Sequence, residues 1–230
     1  MKTVLNWDAF ATSGQICLST DTFSVISALI RGLEVETVST VAKGVEDFVS
    51  PSVPSHCFLT YLKDDLIRGI EMTWPKDNEN HFIPTGGMNI LEMGEKSANI
   101  LQDHIVMLAR PPFLDDYEEA ALNWIKDKEK YCRDKYGIMN LFAYMGIGNN
   151  VPHEQVCAQF TKNYLKDMQS IVSRTPSYVY TLPDKWTKEN KVSPEDQKEW
   201  FIANKWDIPF LKQVPDDYDP HKEVEAPEEN

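Results

Sequence analysis

Long apolar runs, paired-cysteine spacings and an excess of positive charge are all missing from this chain of 230 residues. Each absence excludes something. The most apolar stretch, Phe23 to Leu33, is interrupted by serines and by Arg31, and a membrane span needs ~20 predominantly apolar residues. Stable membrane insertion is therefore not expected. The opening Met1-Lys2-Thr3-Val4-Leu5-Asn6-Trp7-Asp8 meets charge and polarity at once and lacks the apolar stretch of a signal peptide, so the expected location is cytoplasmic. The net charge of −13 argues against a nucleic-acid backbone as partner. Cys17, Cys57, Cys132 and Cys157 show neither a CxxC spacing nor a zinc-type grouping with histidines. No metal and no cofactor is implied, and a reduced compartment is expected. No internal repeat is visible.

What is present is ordinary globular composition, 42% hydrophobic and 26% charged, in a chain long enough for a sizeable core. A glycine turn and a short strand, Gly14-Gln15-Ile16-Cys17-Leu18-Ser19, come first. Apolar residues at helical spacing follow over 22–33. A strand over Ser55 to Tyr61, a turn at Lys63-Asp64-Asp65 and a return strand over Ile67 to Trp74 form a hairpin. After a polar loop over 75–88, strands are predicted at Asn89–Glu92 and His104–Ala109. The clearest helix spans Asp115 to Lys135, and glycine-broken helix fragments are expected from Tyr136 to Gly148. A helix opens near Cys157. Beyond Pro176 the chain reads as irregular, apart from one short helix with Ser193 as cap, Pro194 at its first position and Asp196 three after the cap. The order is that of an α+β fold.

Three residues carry the chemistry. Cys157 stands at the opening of a predicted amphipathic helix, with Phe160, Tyr164, Leu165 and Met168 repeating behind it. A thiol in the first turn of a helix faces unpaired N–H groups and the positive end of the dipole, both of which favour thiolate. Alone, such a cysteine is more often a small core residue. A tight hairpin turn at Lys63-Asp64 sets His56 directly opposite Glu71. A slip by one full register step keeps both side chains on one face. A carboxylate beside an imidazole fixes its tautomer and stabilises its charged form. The same spacing also fits a surface ion pair. His81 and His153 sit in polar loops, His104 begins a strand and His221 lies near the end, so each competes poorly as a base. The aromatic residues Trp74, Phe82, Tyr136, Phe142 and Tyr144 read as core.

The ordered pieces resemble the circularly permuted papain-like cysteine hydrolases, the permuted NlpC-type amidase group that includes YiiX-like proteins. The resemblance rests on Gly14-Gln15-Ile16, on Ser24-Val25-Ile26-Ser27-Ala28-Leu29-Ile30-Arg31, and on Ser55-His56 with Tyr61 downstream. It continues through Ile70-Glu71, Val106 to Arg110, Tyr136 to Phe142, Val156-Cys157-Ala158-Gln159-Phe160 and, loosely, Thr181-Leu182-Pro183-Asp184. It covers roughly residues 12–185. Gln15 stands where the group has Asp, and Ala158-Gln159 where it has Ser-Glu; both departures weaken any transfer of substrate preference.

The resemblance implies an antiparallel sheet or partial barrel packed against helices, with a nucleophilic cysteine at a helix N-terminus. It implies a cysteine peptidase or amidase acting through a Cys157–His56–Glu71 catalytic triad on a peptide or amide substrate, peptidoglycan-type peptides being one class. The backbone N–H of Cys157 is the natural oxyanion donor, and Gln155 is a weak second candidate. Two alternatives stay open: a thioesterase or acyltransferase on lipid-linked esters, and a non-catalytic interaction protein on the same fold. The expected organisation is a hydrolase domain over 1–185, an extension with a short helix over 186–214 and an acidic, flexible tail over 215–230. Seven acidic residues and one lysine fall between Pro215 and Asn230, a stretch that could hold a protein partner.

Overall fold

Two residues in an unusual backbone conformation set the centre of the sheet. Asp64 and Asp65 have φ of 55° and 59°, the geometry of a two-residue hairpin turn whose twist matches the flanking strands. A computed structural model of the chain describes residues 10, 12–20, 54–73, 87–93, 104–137, 140 and 153–212. Within these residues lie strands β1 (Gln15–Ser19), β2 (His56–Lys63), β3 (Leu66–Thr73), β4 (Gly87–Glu92), β5 (Ile105–Arg110), β6 (Lys135–Tyr136), β7 (Glu154–Gln155) and β8 (Asp207–Leu211). The helices are α1 (Leu114–Tyr131), α2 (Cys157–Val172), α3 (Asp184–Thr187) and α4 (Pro194–Ala203).

The sheet is open, in the order β7-β6-β4-β3-β2-β1-β5-β8. Every neighbouring pair is antiparallel except β6 with β7, which is parallel. The α+β expectation holds at this level. The expected turn position does not. Lys63 pairs with Leu66, and the ladder runs from there to Leu59–Ile70. Carried on, it sets Glu71 across from Phe58, so His56 and Glu71 are diagonal rather than directly opposite. Their shared face survives, because side-chain direction repeats every two residues.

Alternation along the strands divides the apolar side chains into two clusters. Ile16, Leu18, Cys57, Leu59, Tyr61, Ile70, Met72 and Met107 face the helices and join Phe160, Tyr164, Leu165 and Met168 of α2. Cys17, Phe58, Ile105, Leu108 and Phe210 form the second cluster with Phe10 and Met93. Each large apolar side chain so buried contributes roughly 1.5–3 kcal/mol. The helix side is fixed by a close approach at Gly14, whose φ is +93° and whose added Cβ would lie 2.5 Å from the Tyr164 hydroxyl. That hydroxyl donates to the Gly14 carbonyl at 2.9 Å, fastening α2 to the start of β1.

Helix α1 is kinked where Tyr117 leaves helical geometry (φ −126°, ψ 22°), and its hydroxyl meets Thr175 at 2.8 Å. Trp124 of α1 packs on Phe160 and Tyr164, while its indole N–H donates to Asp167 at 2.9 Å. Farther on, Ser193 caps α4 as expected: its hydroxyl accepts from the Asp196 N–H at 3.0 Å, and Asp196 accepts from the Ser193 N–H at 3.0 Å. Trp186, Phe201 and Trp206 belong to the helix-side cluster, and β8 pairs with β5. Tyr136 lies in β6 rather than in a helix fragment. The helix expected over 22–33, the segment 141–148 and the acidic tail lie outside the described residues. Among the described residues, no helix is long and apolar enough to cross a membrane, and no group of three or more His, Cys, Asp and Glu is arranged to hold a metal ion.

Candidate active site

Cys157 is the first residue of α2, and Val156 ahead of it is extended (φ −95°, ψ 165°). The helix starts there because Gln159, its third residue, reaches back: its Oε1 accepts from the Val156 N–H at 3.2 Å. Its Nε2 donates to the Asn190 carbonyl at 3.1 Å. A buried brace lies below. Gln197 of α4 donates from Nε2 to the Ala158 carbonyl at 2.9 Å and to the Thr161 hydroxyl at 2.8 Å. Polar groups that are 0% exposed, as Thr161 and Gln197 are, cost several kcal/mol unless paired, so this network resists local rearrangement of the first turn.

His56 opens β2 and Glu71 lies on β3. His56 Nε2 meets Glu71 Oε2 at 2.5 Å, and the other carboxylate oxygen accepts from Asn89 Nδ2 at 2.9 Å. Asn89 is the cross-strand partner of Glu71 on β4. The two side chains of the ion pair are 18% and 7% exposed, so water screens little of it. With Nε2 engaged, Nδ1 is the ring nitrogen that Glu71 leaves over, and Cys157 is near enough to raise the imidazole's pKa. The Cys57 thiol and backbone N–H also act on the Cys157 sulfur, both lowering its pKa.

Protonation follows from this packing. Burial would lower His56, but the Cys157 and Glu71 charges and their hydrogen bonds hold it well above its ordinary value. Cys157 is moved the other way. The Cys57 thiol bond, then His56 charge and hydrogen bond, and finally the Cys57 N–H overcome burial and hold it well below an ordinary thiol. Both shifts favour a thiolate facing an imidazolium. Tyr136 borders it, kept protonated by burial and by the charges of Cys157, Cys57 and Glu71.

The structure thus brings Cys157, His56 and Glu71 together: His56 bonds Glu71, and His56 and Cys157 shift each other's protonation. Gln155 does not join them: its amide donates to Asp134, and its Oε1 accepts from Asn163 at 3.0 Å. His153 lies apart, its ring 92% exposed and 3.6 Å from Asp134. The His104 carbonyl accepts from the Thr20 N–H at 2.7 Å. His81 and His221 lie outside the described residues. Sequence reasoning missed Asn89 and Cys57. Asn89 had no local signal. Cys57 follows His56 directly and points to the opposite face of β2, into the helix-side cluster, yet at the end of the strand both neighbours influence the same sulfur. Cys132 is half-exposed at the end of α1. Burial raises the Cys17 thiol well above its ordinary value.

No family model, curated protein or solved structure matches this chain.

Proposed function

We propose that this protein is a cysteine-dependent hydrolase of permuted papain-like fold, an amidase or peptidase acting on peptide or amide substrates. One observation carries the reading: a thiol at a helix N-terminus lies beside an imidazole that is itself hydrogen-bonded to a buried carboxylate. A carboxylate that merely paired a histidine would not require a third, sulfur partner on the ring.

In the proposed mechanism the Cys157 thiolate attacks the substrate carbonyl carbon. Negative charge moves to the carbonyl oxygen, which the N–H of Cys157 at the start of α2 stabilises. The His56 imidazolium donates its proton to the leaving amine, and an acyl-enzyme thioester remains. Neutral His56 then takes a proton from water as the water attacks that thioester, and the thiolate is released. Glu71 holds the ring so that Nδ1 faces the sulfur, and Asn89 holds Glu71. Peptidoglycan-type peptides are the substrate class that the family resemblance suggests.

The test is limiting iodoacetamide near pH 6, followed by peptide mapping, together with a hydrolysis panel of peptide amides and acyl esters. Alkylation is expected first at Cys157, and an acyl adduct of Cys157 is expected by mass spectrometry with at least one amide. Even labelling of all four cysteines, with no adduct, would sink the hydrolase and favour a non-catalytic interaction protein. Adducts with lipid-type esters alone would reassign the activity to acyl transfer or thioester chemistry.

A further inference from the structure

A second thiol lies against the first. Cys57 and Cys157 both carry thiols outside any disulfide, both are at most 2% exposed, and both lie in the helix-side cluster. The Cys57 sulfur lies 3.4 Å from the Thr161 hydroxyl, which also bonds the Cys157 carbonyl at 3.4 Å, so Cys57 is packed against the first turn of α2. Its thiol is also near enough to help lower the Cys157 thiol below its ordinary value. The other cysteines have no such place: Cys17 belongs to the opposite cluster and Cys132 ends α1.

We propose that Cys57 and Cys157 are a disulfide-forming pair, in which Cys57 resolves a Cys157 oxidised by a peroxide. The inference rests on the reading of Cys157 as a reactive thiolate. In the first step the Cys157 sulfur attacks one peroxide oxygen. The S–O bond forms, the O–O bond breaks and hydroxide leaves; Cys157 is oxidised by two electrons to sulfenic acid and the peroxide is reduced. In the second step Cys57 gives up its proton and attacks that sulfur. The S–S bond forms, the S–O bond breaks, and the departing oxygen leaves as water. A disulfide sets its sulfurs about 2.05 Å apart, and the shared packing on Thr161 places both thiols at the first turn of α2. The pair would protect the site: it stops oxidation at a state a thiol can reverse, before sulfinic acid forms.

The full chain is treated with hydrogen peroxide, blocked with N-ethylmaleimide, digested without reductant and mapped by mass spectrometry. A Cys57–Cys157 cross-linked peptide is expected, with Cys157 labelling restored by dithiothreitol. In Cys57→Ser the expected products are a dimedone-trapped sulfenic acid and then sulfinic acid at Cys157, with labelling after dithiothreitol about tenfold below wild type. Should that variant fail to fold, Cys57→Ala takes its place, and the wild-type cross-link needs no variant. Sulfinic acid at Cys157 of the wild type without the cross-link, or a cross-link through Cys17 or Cys132, overturns the pair. The cross-link in a protein that hydrolyses nothing keeps the pair and removes the hydrolase; rapid Cys157 alkylation and hydrolysis without the cross-link does the reverse.

Discussion

The β2–β3 hairpin uses its two ends in opposite ways. At the turn, Asp64, Asp65 and Leu66 are exposed, and Lys63 reaches sideways to Glu129 at 2.8 Å. Water hydrates these charges whether or not they pair, so their pairing matters little. At the open end, His56 and Glu71 are largely withdrawn from water, and Cys157 is 2% exposed. There each charge depends on its neighbour, since an unmatched buried charge is costly. One end is governed by backbone conformation, the other by protonation.

The largest expected effect comes from removing the imidazole. In His56→Ala the Cys157 thiol loses the imidazolium's charge and hydrogen bond while the influence of Cys57 remains, so its pKa rises, the thiolate fraction near pH 6 falls, and alkylation should slow by about tenfold. The wild-type rate should hold as pH falls below the usual thiol range, whereas the variant rate should inflect at a higher pH than the wild type. Stability has its own sign. His56, held above its ordinary value of ~6.5, contributes in full below that value, and the contribution is lost as pH rises through the raised value. Urea titrations across that range should show the loss in wild type and not in the variant. Identical alkylation profiles for the two proteins would break the contrast between the ends.

Glu71→Gln comes next. The amide cannot stabilise imidazolium, so turnover on a validated substrate should drop by about a hundredfold while the fold persists. Combined with His56→Ala it should add little, because the residues act as a unit. An unchanged rate would remove Glu71 from the mechanism. Asn89→Ala deletes one neutral hydrogen bond to that carboxylate, and a turnover loss of roughly two- to fivefold is expected. Its size, measured against Glu71→Gln, tells whether the second carboxylate oxygen needs its own anchor.

The smallest effect belongs to the turn. Asp65→Gly relieves a positive φ at a position where glycine is favoured, and urea unfolding should show a gain of about 0.5 kcal/mol. Cys157 alkylation should not change. If it does, the two ends are mechanically linked and the contrast is one of degree.

The parts legible in the sequence were those set by local rules. Cys157 at a helix start followed from the apolar spacing behind it, and the Ser193 cap from residue types at fixed offsets. The shared face of His56 and Glu71 followed from two-residue alternation, even though the turn sits one residue later than expected. What escaped depends on partners distant in the chain. Asn89 meets Glu71 through the β3–β4 register, which an intervening loop hides. Gln155 looked available because nothing local shows that Asp134 and Asn163 occupy its amide. The segment Asp207–Leu211 carries little apolar periodicity of its own, and becomes a strand because β5 offers it an edge.

That edge has a history during synthesis. β5 is made about a hundred residues before β8, its final neighbour on that side. At roughly 5–20 residues per second, the ribosome takes about 5–20 s to deliver the missing strand. Throughout that interval one row of β5 amide and carbonyl groups faces outward, a template on which a strand of another nascent chain can settle. The C-terminal strand is thus a late seal, and translation speed between residues 110 and 207 sets how long each newborn molecule is open to aggregation.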